Sequence, residues 1–125
     1  VHELILERGF ALGKERKDSY VNELIKFVRR GYGYEFVLID RLLFSAMIEA
    51  RSCERFRVLS QNIEDQKLAK FYNELMISEA THYTTFLKLA KKYAETIDVD
   101  ARWREFLAYE AEVIQNYGKS NEIHG

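Results

Sequence analysis

The fold is decided by the stretch from residue 63 to residue 94, which reads IEDQKLAKFYNELMISEATHYTTFLKLAKKYA. Its apolar residues recur every three or four positions, which is the spacing of one face of an α-helix. They are Leu68, Phe71, Tyr72, Leu75, Met76, Tyr83, Phe86, Leu89 and Ala90. We predict a helix that Asn62 caps, with Asp65 at its third helical position, and that ends near Ala94. A helix of this length is typical of a helical bundle.

The flanking sequence has the same helical character. The chain contains no Pro, and none of its six Gly falls between residues 34 and 117. A β-rich fold needs turn residues at short intervals, so this composition favours an all-α protein. We predict further helices over residues 19–30, 34–60 and 101–117. The chain of 125 residues has the length of one domain, which we place over residues 1–125.

The overall composition narrows the class of protein. Hydrophobic residues make up 47% and charged residues 31%, which excludes a disordered chain. A net charge of −1 excludes a strongly basic nucleic-acid coat but is compatible with a local basic patch. The single Cys53 permits no internal disulfide, so we expect a reducing compartment and a cytoplasmic location. No apolar run reaches the length of about 18 residues that spans a bilayer, so we expect no membrane partner.

Two carboxylates and a histidine interrupt the apolar faces of the two long helices. Glu79 and His82 fall within the face of the 62–94 helix, and Glu49 falls within that of the 34–60 helix. An ionised carboxylate in apolar surroundings is costly unless a partner compensates its charge. If the helices form an antiparallel hairpin that turns near residue 64, each Glu lies 15 residues, or roughly 22 Å, from the turn. The three side chains then lie at one level and match half of a carboxylate-bridged di-iron site in a ferritin-like bundle.

A second interpretation of the same residues needs no metal. In it, a buried salt-bridge network joins the carboxylates to nearby cations, which are Arg51, Arg55 and Arg57. Glu54 and Glu74 are also equidistant from the turn, but they lie off the apolar faces, and we expect each to pair with an arginine. Glu110 lies on the apolar face of the last helix. We expect it to be a satisfied, partly buried residue and not a metal ligand.

Three segments resemble one family of tRNA-modifying enzymes. They are residues 48–56, IEARSCERF, the pair Phe71-Tyr72, and residues 78–83, SEATHY. Together they resemble the tRNA isopentenyladenosine hydroxylase (MiaE) family, and the similarity extends over essentially the whole chain. The resemblance implies a ferritin-like four-helix bundle that holds two non-haem iron ions. It further implies a monooxygenase that uses O2 and two electrons to hydroxylate the isopentenyl group of 2-methylthio-isopentenyladenosine, next to the tRNA anticodon.

The resemblance also implies ligands and partners. Glu49, Glu79 and His82 would be the metal ligands, with no further catalytic residue, and the partners would be tRNA and an electron-donor protein. Phe56, Tyr72, Tyr83 and Phe86 would shape a substrate pocket. Arg51 and Arg55 would contact tRNA, and Arg29, Arg30 and Arg57 are further candidates for phosphate contacts. Two other functions share the helical scaffold: a ferritin-like protein that handles iron or peroxide without tRNA, and a metal-free helical interaction module.

One departure from the family pattern concerns the other half of the site. The family places one Glu on its first helix and a Glu-x-x-His on its second, and the residues near Val1 do not reproduce these motifs. His2 precedes both Glu3 and Glu7, and no later His follows in that segment. We therefore expect an N-terminally truncated, partial bundle that lacks the first helix and most of the second. Alternatively, two chains complete one site between them.

Overall fold

The computed structural model describes residues 19–124, and the side chains of residues 19–116. A short helical segment over residues 19–25, α1, precedes three long helices. These are α2 (Tyr34–Asn62), α3 (Gln66–Tyr93) and α4 (Val99–His124). The described residues contain no strand, and the predicted all-α fold of ferritin-like bundle type is confirmed. Within the described residues, no helix is both long and apolar enough to cross a membrane.

The helix ends differ from the predicted ones by a few residues. Asn62 is the last residue of α2, where its side-chain amide donates to the carbonyl of Val58, so its predicted role as a cap is wrong. Asp65 is the N-cap of α3 instead, and its carboxylate accepts from two backbone N–H groups of the first turn. The predicted stop at Gly118 is also wrong, because α4 continues to His124. A single Gly costs a helix only about 1 kcal/mol, which is too little to end it.

The first predicted helix ends earlier than expected. It ends at residue 25, where the prediction placed its end at residue 30, and a turn over residues 26–28 follows. Gly31 then adopts φ +75°, a left-handed conformation that favours Gly over residues with a side chain. This turn directs the chain into α2. His2, Glu3 and Glu7 lie outside the described residues.

The core lies at the end of the α2–α3 hairpin that is remote from its three-residue turn. Its buried members come from every described helix and from the turn after α1, and they are Leu24, Val28, Ile39, Leu43, Met47, Ala90, Val99 and Phe106. All five buried residues of α2 lie between Ile39 and Met47. Beyond Met47, α2 is therefore half-buried or exposed, and that part of the helix carries the candidate site.

Two buried carboxylates join α4 to α2. Asp40 accepts hydrogen bonds from the side chains of Arg29 (Nε, 3.0 Å) and Arg102 (Nη2, 2.8 Å). Glu110 accepts a bidentate pair of hydrogen bonds from Arg51, with Nε at 2.6 Å. Because Asp40 meets Arg102 and Arg51 meets Glu110, α4 runs parallel to α2. It also contacts α3, where Lys91 pairs with Asp100 at 3.3 Å.

Candidate metal centre

The two helices of the hairpin bring Glu49, Glu79 and His82 together, as their spacing predicts. One potential ligand atom from each residue lies within 4.8 Å of the others. The imidazole Nδ1 of His82 lies 3.6 Å from Oε2 of Glu49 and 3.9 Å from Oε2 of Glu79. The equal distance of the two Glu from the turn, counted along the chain, therefore places them at the same level of the folded hairpin.

The donor set and its spacing fit a metal ion. Protein nitrogen and oxygen ligands lie about 2.0–2.2 Å from a transition metal, which separates neighbouring ligand atoms by about 3–4 Å. The two distances from His82 fall in this range, and both are too long for a hydrogen bond. Among the described residues, none of the three side chains makes a hydrogen bond to another residue. Carboxylate oxygens with a neutral imidazole are ligands that suit iron.

The site is more open than the sequence predicts. The side chains of Glu49 and Glu79 are 26% and 22% exposed, and that of His82 is 56% exposed. The expectation of carboxylates within a fully buried face is therefore wrong for the described residues. α4 reaches the level of the site, where Glu110 binds Arg51, but within the described residues no hydrogen bond or ion pair joins α1 or α4 to these three side chains. Their convergence, and not their burial, is the observation that points to a metal.

The arginines near the site have other partners. Arg51 binds Glu110, and Arg57 binds Glu54, with Nε 3.0 Å from Oε2. No arginine in the described part of the chain pairs with Glu49 or Glu79, so the salt-bridge interpretation is wrong for those residues. The predicted pairing of Glu54 with an arginine is confirmed.

Glu110 is a structural residue, as the sequence predicts. Its buried carboxylate binds Arg51 and also accepts a hydrogen bond from the hydroxyl of Tyr20. Burial, followed by this hydrogen bond, raises the pKa of Tyr20 far above its usual range. The phenol therefore stays protonated and donates, which holds α1 against α4.

The predicted pocket residues form two groups along the hairpin. Phe56 and Tyr72 stack with their ring centroids 6.0 Å apart, on the side of the site that faces the turn. The rings of Tyr83 and of Trp103 on α4 have their centroids 5.9 Å apart. Phe86 is half-buried, two helical turns beyond Glu79. The role of these groups as a substrate pocket stays a prediction.

The predicted tRNA contacts differ in their availability. Arg51 is held by Glu110, whereas Arg55 is exposed and has no described partner.

Sequence reasoning missed the buried Asp40 altogether. Its partners Arg29 and Arg102 lie 11 and 62 positions away along the chain, and no local pattern marks such a pairing.

Comparison with known proteins identifies the family. The family model described as tRNA-(MS(2)IO(6)A)-hydroxylase (MiaE) matches residues 1–125. The chain belongs to the MiaE family. A relative from Pseudomonas putida, named tRNA 2-(methylsulfanyl)-N(6)-isopentenyladenosine(37) hydroxylase, is 40% identical over 97% of this chain and 58% of its own length. A relative of the same name from Salmonella typhimurium is 36% identical over 99% of this chain and 44% of its own length.

The match covers nearly all of this chain but only part of each MiaE relative. The chain spans about half the length of the curated relatives that it matches. No solved structure matches it. The residues that converge at the candidate site, Glu49, Glu79 and His82, lie within the part that this chain shares with the MiaE family model.

Proposed function

We propose that this chain acts, alone or as part of a longer protein, in the O2-dependent hydroxylation of the isopentenyl group of 2-methylthio-isopentenyladenosine in tRNA. Membership of the MiaE family and the names of the two relatives support the reaction and the substrate. The observation that carries the proposal is the convergence of Glu49, Glu79 and His82 on one point of the hairpin.

The same three residues define what this chain contributes to the chemistry. When bound there, a pair of iron ions would supply the activation of O2 that oxidation of an unactivated C–H bond requires. Glu49 and Glu79 would provide anionic oxygen ligands from two different helices, and His82 would provide an imidazole nitrogen, its Nδ1 lying 3.6 Å and 3.9 Å from the two carboxylates. Apolar side chains on either side of the ligands, Phe56 and Phe86 among them, would receive the isopentenyl group.

The stoichiometry of the reaction implies a further partner. Hydroxylation inserts one oxygen atom of O2 into a C–H bond, and the other atom leaves as water after the uptake of two electrons and two protons. The described residues contain no redox-active disulfide, and Cys53 is free. We therefore include an electron-donor protein in the proposal, together with a cytoplasmic location, where the tRNA substrate is found.

The test uses the protein at its full natural length. Glu79→Ala and His82→Ala are expected to lose bound iron and to leave the tRNA nucleoside unhydroxylated. Glu74→Ala is the matched control, because Glu74 is an exposed carboxylate on the same helix. Iron is measured by elemental analysis and the nucleosides by mass spectrometry. Normal iron content in both ligand variants would refute the assignment of the site.

Two further measurements separate the proposed function from the other two functions. An iron-loaded protein whose deletion leaves the ratio of hydroxylated to unhydroxylated nucleoside unchanged in cells would be a ferritin-like protein that handles iron or peroxide. A metal-free interaction module would show no rise in melting temperature with ferrous iron, whereas a ligand of the native state stabilises it by mass action.

A further inference from the structure

Exposed tyrosines collect at one end of the hairpin. Tyr32, Tyr34 and Tyr93 are 62%, 81% and 51% exposed, and no other aromatic side chain among those described is exposed to this degree. Tyr32 and Tyr34 lie in the turn before α2 and at its first residue, and Tyr93 is the last residue of α3. The exposed aliphatic side chains, Val58, Ile77, Leu107 and Ile114, lie elsewhere on the helices.

A hydrogen-bonded joint holds these tyrosines at the same end. The carboxylate of Glu35, next to Tyr34, accepts from the backbone N–H of Glu95 (2.9 Å) and of Thr96 (3.1 Å). It also accepts from the hydroxyl of Thr96 at 2.6 Å. The hydroxyl of Thr96, followed by these N–H groups, lowers the pKa of Glu35, so the joint remains ionised at neutral pH. The start of α2 and the end of α3 are thereby fixed beside each other.

Cations without ion-pair partners lie in the same region. Residues 24–34, LIKFVRRGYGY, contain three cations, of which Lys26 is paired with Glu23 at 2.7 Å. Arg29 is held by Asp40, but Arg30 is exposed and has no described partner. Lys92 lies with its Nζ 5.7 Å from the ring of Tyr93. Glu95 and Asp98 are exposed acids at this end that also lack a described ion pair, so contacts to phosphate would depend on Arg30 and Lys92 individually and not on an excess of positive charge.

The turn also leaves room for a ligand. A shallow cleft of about 430 Å³ follows residues 26–30, and Arg30 forms part of its lining. Flat aromatic rings beside unpaired cations are the features with which proteins bind unpaired nucleotides, because bases stack on the rings and phosphates meet the cations. The absence of exposed aliphatic side chains among the described residues of this end favours RNA over an apolar protein surface.

The distance to the candidate metal centre is suitable for an RNA hairpin. Tyr34 lies 15 residues before Glu49 on the same helix, which is roughly 22 Å along the axis. A helical nucleic-acid strand covers that distance in about seven nucleotides. A substrate whose reacting base lies at the metal centre can therefore reach this end of the hairpin with nearby nucleotides of the same loop or stem.

We propose that this aromatic end, formed by Tyr32, Tyr34 and Tyr93 with Arg30 and Lys92, binds the RNA substrate. It contacts nucleotides that lie near the reacting base in the same loop or stem. The tyrosine rings stack on unpaired bases, and the two cations contact phosphates. The identity of that RNA as tRNA rests on the proposed function. RNA binding itself does not, because it is measured without the reaction.

The experiment measures equilibrium binding of a fluorescently labelled anticodon stem-loop RNA to the protein at its full natural length, at several salt concentrations. Tyr34→Ala is expected to weaken binding by about tenfold or more, the effect of losing one stacked base. Tyr34→Phe retains the ring and should bind as the wild type does. Arg30→Ala is expected to lower the slope of log K against log salt by about one, the signature of one lost phosphate contact. Lys70→Ala, which removes an exposed cation of α3 near the turn, is the control and should leave the slope unchanged.

Other results separate this inference from the proposed function. Unchanged RNA binding by a Tyr34→Ala, Arg30→Ala double variant would overturn the inference, even if the wild type hydroxylates tRNA. If that variant binds RNA normally but loses turnover only when a protein donor replaces a chemical reductant, the surface is a docking site for the donor, which also overturns it. Weakened RNA binding, with unchanged iron content and unchanged helical circular dichroism, would support the inference whether or not the wild type hydroxylates its substrate.

Discussion

Asp40→Asn removes one negative charge from the buried joint between α2 and α4 with almost no change of shape. The carboxylate is fully buried and accepts five hydrogen bonds, three from Arg29 and two from Arg102. An amide keeps only one acceptor oxygen, and its NH2 group donates, so that it would face the N–H groups of the two guanidinium groups. The substitution therefore leaves two guanidinium groups without their counter-charge. The new NH2 group also faces the N–H groups of one of them.

The expected loss follows from how well each arginine is shielded from water. The side chain of Arg102 is only 11% exposed and lies over the rings of Phe27 and Phe106, so its charge is poorly rehydrated in the variant. Removal of one partner from a buried ion pair costs about 3–5 kcal/mol. Arg102 retains its ion pair with Glu105 at 2.6 Å. We therefore expect a loss near the lower limit, about 3 kcal/mol, which is a large part of the 5–15 kcal/mol typical of a domain.

The assay is urea unfolding of wild type and variant, followed by far-ultraviolet circular dichroism. A lower midpoint at unchanged slope would report a loss of stability of the native state. Glu54→Gln is the matched control, because its ion pair with Arg57 is exposed to solvent and contributes little to stability. If Asp40→Asn costs as little as the control does, the buried joint does not stabilise the fold in the way described.

The remaining predictions concern pH, a second buried carboxylate and two backbone positions. Burial opposes ionisation of Asp40, but hydrogen bonds from its arginines outweigh this effect and hold the pKa of Asp40 below the usual value. The stability that Asp40 contributes is therefore complete above its unfolded-state pKa and is lost as the pH falls through its folded-state pKa. Urea midpoints measured downward from about pH 5 should therefore fall more steeply for wild type than for Asp40→Asn, and parallel curves would contradict this. Glu110→Gln should cost about 1–3 kcal/mol, less than Asp40→Asn, since the side chain of Arg51 is 44% exposed and can be rehydrated; a larger loss than that of Asp40→Asn would refute the comparison. Asp65→Ala should cost about 1 kcal/mol through the lost cap of α3, an effect that Asp65→Asn should largely restore. Gly31→Ala should cost about 1–2 kcal/mol because φ is +75°, and an unchanged urea midpoint would show that the turn adapts.

The candidate site shows how far sequence reasoning reaches. Glu49, Glu79 and His82 could be predicted to meet because both helices begin or end within a few residues of one turn, and the rise per residue of a helix is constant. Their exposure could not be predicted, because it depends on which elements cover that part of the hairpin. For the same reason, the sequence leaves open the second interpretation, in which an arginine neutralises Glu49 or Glu79, whereas in the structure Arg51 is bound by a carboxylate 59 positions away in the chain.

The helical character of the chain, the position of its hairpin turn and the three side chains that share one level of the hairpin can all be predicted from the sequence. These features are local, because they follow from helix periodicity, the positions of Gly and the absence of Pro. Which charges are paired and which are free depends instead on how the helices pack. Asp40 and Glu110 bind Arg29, Arg102 and Arg51, and this leaves Arg30 and the exposed tyrosines available to a ligand. Such pairings depend on the packing of α4 against α2, which brings together residues about 60 positions apart that no local pattern connects.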